Sequence, residues 1–273
     1  MAEKSLIRLA VFGSPVAQSL SPRIHRLFAR QCGLDIDYQA TEATVETFPG
    51  HLSALAASGG KGCNVTVPLK RKAWELASRC SDGALLARAA NTLVLYDSGE
   101  IYADNTDGPG LVSDLESAAP GSLKGARLCL LGAGGAASGV LGALLRAKPA
   151  LIVIANRTVQ RAAELAEIHN GLGEISVCMP ADISRFEPFD LLINATSLGH
   201  DGSAPEVSRS WLKPDGLCYD MNYGPAAEPL KLMCGEKGIP YSDGLGMLVG
   251  QAALSFELWT GQRPDAAAVL KEL

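Results

Sequence analysis

The sequence predicts an α/β protein of two units: a twisted, mainly parallel α/β sheet followed by a Rossmann-type unit. Three observations carry that prediction. Strand-like and helix-like segments alternate along most of the chain. The stretch GAGGAA at 132–137 joins a buried strand to a long apolar helix. The length of 273 residues, 47% hydrophobic and 19% charged, suits one large or two medium domains.

In the first third, IRLAVFG (7–13) reads as a buried strand. SPRIHRLFARQCG (21–33) reads as a helix with Ser21 as N-cap, Pro22 at the first helical position and Gly33 at its end. DYQATEA (37–43) is a second strand, 46–58 a helix, and KGCNVTV (61–67) a third strand. Its alternation sets Asn64 and Thr66 on one face. Pro68 ends the strand and opens a helix, which puts Lys70 in a first turn. A helix N-terminus disfavours a cation, so this lysine needs a reason. Segments 92–96 and 100–103, joined by DSG, read as a hairpin.

The second unit opens with a helix at about 108–118 and a turn, PGSLKG. RLCLL (127–131) is a buried strand that runs into the glycine loop. LIVIAN (151–156), a helix over 158–169, FDLLINAT (189–196) and GLCYDMN (216–222) continue the pattern. GLGMLVGQAALSFELWTG (244–261) reads as a Gly-broken apolar helix that packs back over a site.

Composition narrows the function classes. A net charge of −5 argues against sequence-independent nucleic-acid binding. Seven scattered cysteines without a CxxC pair suggest reduced thiols in a cytoplasmic protein, not a disulfide framework or zinc site. The four histidines lack metal-ligand spacing, so no metal is expected. No apolar run is long enough for a membrane span or a signal-peptide core.

Several residues point to chemistry. Gly132, Ala133, Gly134, Gly135 and Ala136 form a strand-to-helix loop suited to a pyrophosphate. At the end of the next strand Asn156, Arg157 and Thr158, with Arg161 a turn later, replace the acid that usually bonds an NAD ribose. Two guanidiniums suit a 2′-phosphate and favour NADP. Asn91 in AANTL and Asp107 in DNTDG lie, with Asn64, Thr66 and Lys70, near strand ends of one domain, where open α/β sheets bind ligands. Ser19 and Ser21 give two hydroxyls near a helix start, suited to a carboxylate or small anion.

VFGSPVAQSLSP, GCNVTVPLK, AANTL, DNTDG, GAGGAA, NRT, INATS, YDMNY and GLGMLVGQAA follow one another in an order that resembles the shikimate dehydrogenase family nearly end to end. The resemblance implies a substrate domain of residues 1–106 and 244–273, with the C-terminal helices returning to it, and a dinucleotide domain of 107–243. It implies Lys70 and Asp107 as the catalytic pair for NADP-dependent interconversion of shikimate and 3-dehydroshikimate. Ser19 and Ser21, with Tyr223, would hold the substrate carboxylate, and Asn64, Thr66, Asn91 and Gln251 its ring hydroxyls. Thr196, Met221, Gly244 and Met247 would line the nicotinamide pocket. The implied partner is a small molecule, in a monomer or homodimer. Arg88, His200 and the 222–225 stretch depart from the family pattern and leave substrate preference open. A quinate/shikimate dehydrogenase, or a paralogue with altered substrate, is the nearest alternative. A dinucleotide sensor without catalysis is the other, and it has no need of the Lys70–Asp107 pair.

Overall fold

The computed structural model describes residues 6–118 and 121–273. Pro120, the first residue of the expected PGSLKG turn, lies outside them. The chain divides into one unit of residues 1–110 and 249–273 and another of 111–248. Both divisions fall inside helices, a few residues later than the expected boundaries.

The first unit contains β1 (Ile7–Gly13), α1 (Ser21–Cys32), β2 (Ile36–Glu42), α2 (Phe48–Ala57), β3 (Gly62–Val65), α3 (Lys70–Leu76), β4 (Arg79–Cys80), α4 (Asp82–Ala87), β5 (Thr92–Leu95) and β6 (Ile101–Asp104). The start of α5 (Asp107–Ala118) also belongs to it. Its sheet runs β2-β1-β3-β5-β6-β4. The β1–β2, β1–β3 and β4–β6 pairs are parallel, whereas β3–β5 and β5–β6 are antiparallel.

Register sorts the side chains of this sheet. Leu9 pairs with Tyr38, Val11 with Asn64, and Asn64 with Thr92. Residues two apart share a face, so Tyr38, Asn64 and Thr92 lie together with Leu9 and Val11. The opposite face carries Ala10, Phe12, Cys63, Val65, Leu93 and Ala103, packed with Phe48, Leu52, Leu69, Ala73 and Ala84 from the α2–α4 side. That face is apolar at its centre and polar along the β1–β2 edge, where Arg8 pairs with Asp37, Ala10 with Gln39 and Phe12 with Thr41, and the other mixes aliphatic and polar groups.

The second unit contains most of α5, then β7 (Arg127–Leu131), α6 (Gly135–Arg146), β8 (Leu151–Ala155), α7 (Val159–Ile168), β9 (Ile175–Cys178), β10 (Phe189–Asn194), β11 (Leu212–Asp220), α8 (Glu228–Glu236) and β12 (Tyr241–Ser242). Its sheet is parallel throughout, in the order β12-β11-β10-β7-β8-β9. That is the Rossmann order, with its switch point between β7 and β10. The strands are apolar on both faces, as a parallel sheet covered on both sides requires. α9 (Leu245–Thr260) starts in this unit and ends in the first, where α10 (Ala266–Leu270) follows.

Several expectations need correction. The third strand stops at Val65, not residue 67. The Thr66 amide bonds to the Phe12 carbonyl and the Leu69 amide to the Thr66 carbonyl, so the chain turns. The Val67–Pro68 bond is cis and Val67 is 66% exposed. Asn64 and Thr66 are therefore not neighbours on a strand face. α3 begins at Lys70, not at the proline. Leu20, not Ser21, is the N-cap residue of α1; Ser21 is its first helical residue, and the Ser19 hydroxyl accepts the Ser21 amide at 3.3 Å. α9 is continuous through its glycines. Arg88 closes α4 with φ +48°, the left-handed position where glycine is usual, and nothing in the structure explains the arginine there.

Candidate active site

Within the first unit, Lys70 and Asp107 meet. Lys70 Nζ donates to Asp107 Oδ2 at 2.5 Å, with the two side chains 25% and 12% exposed. Each starts a helix. That place suits the carboxylate of Asp107, whereas the ammonium of Lys70 is offset by its partner. The Ala90 amide bonds to the Lys70 carbonyl at 2.9 Å and so ties the start of α3 to the Asn91 segment.

Asn91 holds the pair in place. Its Nδ2 lies 2.9 Å from Asp107 Oδ1, 2.9 Å from Thr106 Oγ1 and 3.0 Å from Gln251 Oε1. Its Oδ1 accepts the Thr106 amide at 2.8 Å. The Asp107 amide in turn donates to Asn105 Oδ1 at 3.2 Å. A Cβ on Gly110 would stand 2.8 Å from the Gln251 amide nitrogen, so α5 and α9 approach at backbone distance. Asn91, Asn105, Thr106, Asp107 and Gln251 are all buried, and this mutual bonding is what makes their burial tolerable.

Asn64 is buried at the centre of a second cluster. Its Oδ1 accepts from the Tyr38 hydroxyl at 2.7 Å and lies 3.1 Å from His25 Nε2. Its Nδ2 faces the Asn91 carbonyl at 3.2 Å, Thr92 Oγ1 at 3.2 Å and Ser255 Oγ at 3.0 Å. Thr92 and Ser255 stand 2.6 Å apart and link this cluster to Thr106. Burial lowers the His25 pKa to about 3, so its ring is neutral, and raises the Tyr38 pKa well above its ordinary value. Ser19 is partly exposed in the loop after β1; Ser21 is buried with its hydroxyl facing Tyr38. Thr66 sits in the turn before α3, and its methyl blocks any Cβ at Gly13.

In the second unit the glycine loop follows β7 at the switch point. Gly132 has φ +105°, and a Cβ there would lie 3.2 Å from the Ala195 carbonyl. Gly134, the N-cap of α6, has no side chain to cover the first-turn amides. Gly134, Gly135 and Ala136 are exposed, whereas Ala137 packs in the core. Nothing lies within 4 Å of a Cβ built on either glycine. A bare helix start with open space above it fits a pyrophosphate. Asn156 is partly buried at the end of β8 and its Nδ2 donates to the Thr158 carbonyl at 2.8 Å. Arg157, Thr158 and Arg161 are exposed, and neither arginine forms an ion pair among the described residues.

Thr196, Met221 and Gly244 are held by a clamp the sequence did not signal. Thr196 donates from its amide and its hydroxyl to Asn194 Oδ1, at 3.0 and 2.7 Å. Asn194 and Asn222 both donate to Asp220 Oδ1 at 2.9 Å. Asp220 is fully buried and burial raises its pKa. The Met221 amide bonds to the Asn194 carbonyl, and a Cβ on Gly244 would stand 2.5 Å from the Met221 carbonyl. Met247 packs in the core of this unit, and Tyr223 follows the clamp, partly buried. The structure thus gathers Lys70, Asn91, Asp107 and Gln251 into one contact group in the first unit. Thr196, Met221 and Gly244 form another in the second.

Three family models match the chain: the shikimate dehydrogenase substrate binding domain over residues 11–93, shikimate/quinate 5-dehydrogenase over 114–202, and the shikimate 5′-dehydrogenase C-terminal domain over 244–273. The shikimate dehydrogenase (NADP(+)) of Psychromonas ingrahamii is 46% identical over 97% of this chain and 96% of its own length. That of Vibrio atlanticus is 47% identical, with coverage of 97% and 96%. The crystal structure of shikimate 5-dehydrogenase from Thermus thermophilus, in complex with NADP(H) and shikimate, has a TM-score of 0.84 at 34% identity and covers 97% of both chains. With relatives this similar along nearly its whole length, the chain belongs to the shikimate dehydrogenase family.

Proposed function

We propose that this chain is an NADP-dependent shikimate dehydrogenase that interconverts shikimate and 3-dehydroshikimate, a step toward chorismate and the aromatic amino acids. The carrying observation is the Lys70–Asp107 contact at 2.5 Å, set among Asn91 and Gln251. The relatives' printed activity supports the same reading. Bound NADP would accept the hydride from the substrate carbon. The chain must then handle the proton of the C3 hydroxyl. In oxidation Lys70 Nζ takes that proton as the neutral amine and becomes the ammonium, and in reduction the ammonium returns it, while Asp107 fixes Nζ in either state and accepts from a neighbouring substrate hydroxyl. Asn91, itself bonded to Gln251, holds Asp107 in place, and both amides offer polar atoms to the ring. Ser19, Ser21 and Tyr223 bind the carboxylate, and Asn64 and Thr66 the remaining hydroxyls.

Gly132, Ala133, Gly134, Gly135 and Ala136 cradle the pyrophosphate, Asn156 and Thr158 meet the ribose, and Arg157 and Arg161 clamp the 2′-phosphate. Thr196, Met221, Gly244 and Met247 surround the nicotinamide. Residues 1–110 with 249–273 bind substrate, and residues 111–248 bind the dinucleotide. Seven free thiols support a cytoplasmic setting, as a monomer or homodimer. No helix among the described residues is long and apolar enough to cross a membrane.

The test is the absorbance of the reduced cofactor in purified protein given shikimate with NADP, then with NAD, then quinate with each. Shikimate with NADP should give the highest kcat/KM. Faster turnover of quinate, or of NAD, overturns the assignment. NADP binding without turnover would point to a sensor.

A further inference from the structure

Asn64 cannot be read as a free donor, because protein groups surround both ends of its amide. The Asn91 carbonyl, 3.2 Å away, can only accept, so the atom facing it is the NH2 group. That fixes the other end as Oδ1. Its two lone pairs face the Tyr38 hydroxyl at 2.7 Å and His25 Nε2 at 3.1 Å, so both must donate. The proton of His25 therefore sits on Nε2 and leaves Nδ1 bare. Nδ1 is indeed buried without a hydrogen-bond partner among the described residues. A lone pair stranded in this way is a cost the fold accepts to keep the tautomer.

The rings are held as firmly as the amide. His25 and Tyr38 stack at 4.4 Å and 11°. Phe28, Phe256 and Trp259 enclose the imidazole from α1 and α9. The Trp259 indole is pinned to the Leu93 carbonyl at 2.9 Å. On its NH2 side Asn64 has two hydrogens and three acceptors within 3.2 Å. It can exchange one acceptor for an incoming hydroxyl without leaving a hydrogen unpaired. The amide interrupts any proton wire, since it neither gains nor loses a proton near neutral pH, so the cluster can orient but not conduct.

Resting on the proposed function, we propose that Tyr38 and His25 are positioning residues for substrate: they lock the Asn64 amide with its NH2 group turned toward the Asn91–Ser255 side. Tyr38 also links this lock to Ser21, whose hydroxyl faces the same phenol. The hydroxyl-binding and carboxylate-binding ends of the site then share one buried support.

Tyr38→Phe keeps the ring stack and removes one donor. It should raise KM for shikimate about five- to tenfold, the effect of one hydrogen bond, with kcat within about threefold and KM for NADP unchanged. His25→Gln, which can place an NH2 near the position of Nε2, should stay near wild type, whereas His25→Leu should behave like Tyr38→Phe. In Asn64→Ala the Tyr38→Phe change should add nothing further to KM. An unchanged shikimate KM in Tyr38→Phe overturns the proposal, as does a fall in kcat together with a rise in both KM values, which marks general damage. Nitrogen NMR of the wild-type imidazole gives a reading without activity: the proton should be on Nε2, and a proton on Nδ1 overturns the proposal. A wild type inactive on shikimate but with the Nε2 proton would sink the functional reading and the shikimate role, while the amide lock would stand.

Discussion

The two proposed binding regions are built on opposite principles. In the first unit the polar groups are side chains that saturate one another: Lys70 with Asp107, Asp107 with Asn91, Asn91 with Gln251 and Thr106. In the second, the proposed anion-binding donors are backbone amides at a helix start that no side chain caps, with open space beside Gly134 and Gly135. A saturated network fixes directions and so suits selection among ring hydroxyls. A bare helix end supplies field and donors but little direction, and suits a phosphate. Substitutions in the first region should therefore act by misdirecting groups, and those in the second by covering or repelling.

On cofactor binding the largest effect should come from the exposed arginines. Removing Arg157 and Arg161 together should raise KM for NADP roughly a hundredfold or more, because each charge-assisted bond contributes about 1.5–3 kcal/mol. KM for NAD should hardly move. Equal loss with both cofactors would deny that these residues read the 2′-phosphate. Gly134→Asp gives a smaller but more diagnostic change. Aspartate is a good N-cap and would bond the very amides the pyrophosphate needs. NADP KM should rise on the order of tenfold while the melting temperature holds or climbs slightly. Lower stability with unchanged KM would contradict the open-helix account.

The least effect on activity, and a separate one on stability, concerns a histidine in each unit. Burial pushes His25 from about 6.5 to about 3 and lowers His169 in the second unit as well. The unfolded chain binds protons that the folded one refuses. The stability tied to His25 is therefore whole above about pH 6.5 and is lost progressively as pH falls toward 3. Urea unfolding of His25→Gln across this range should show an acid limb shallower by about one proton, with the share of His169 remaining. An unchanged slope would mean that His25 is protonated in the fold.

Much of the second unit was legible because its elements are long and its signal is local. A strand, two spaced glycines and an apolar helix specify the loop without any distant contact. The first unit was less legible. Lys70 and Asp107 stood out by motif, but Tyr38, His25 and Ser255 read as ordinary strand or helix residues. Their roles follow from sheet register and from α1 and α9 covering one face, neither of which is written locally. The only signals were polar residues at core-facing positions of DYQATEA and of the last long helix. The early stop of β3 was missed for the same reason: Phe12, a partner on another strand, takes the Thr66 amide. Two-residue strands such as β4 and β12 are too short for any period.

The most direct test of the central claim is steady-state kinetics of Lys70→Ala with shikimate and NADP. If Lys70 moves the hydroxyl proton, kcat should fall about 10²–10⁴-fold, with KM for shikimate changed far less. A kcat within a few-fold of wild type would show that the Lys70–Asp107 pair is not the proton-handling centre.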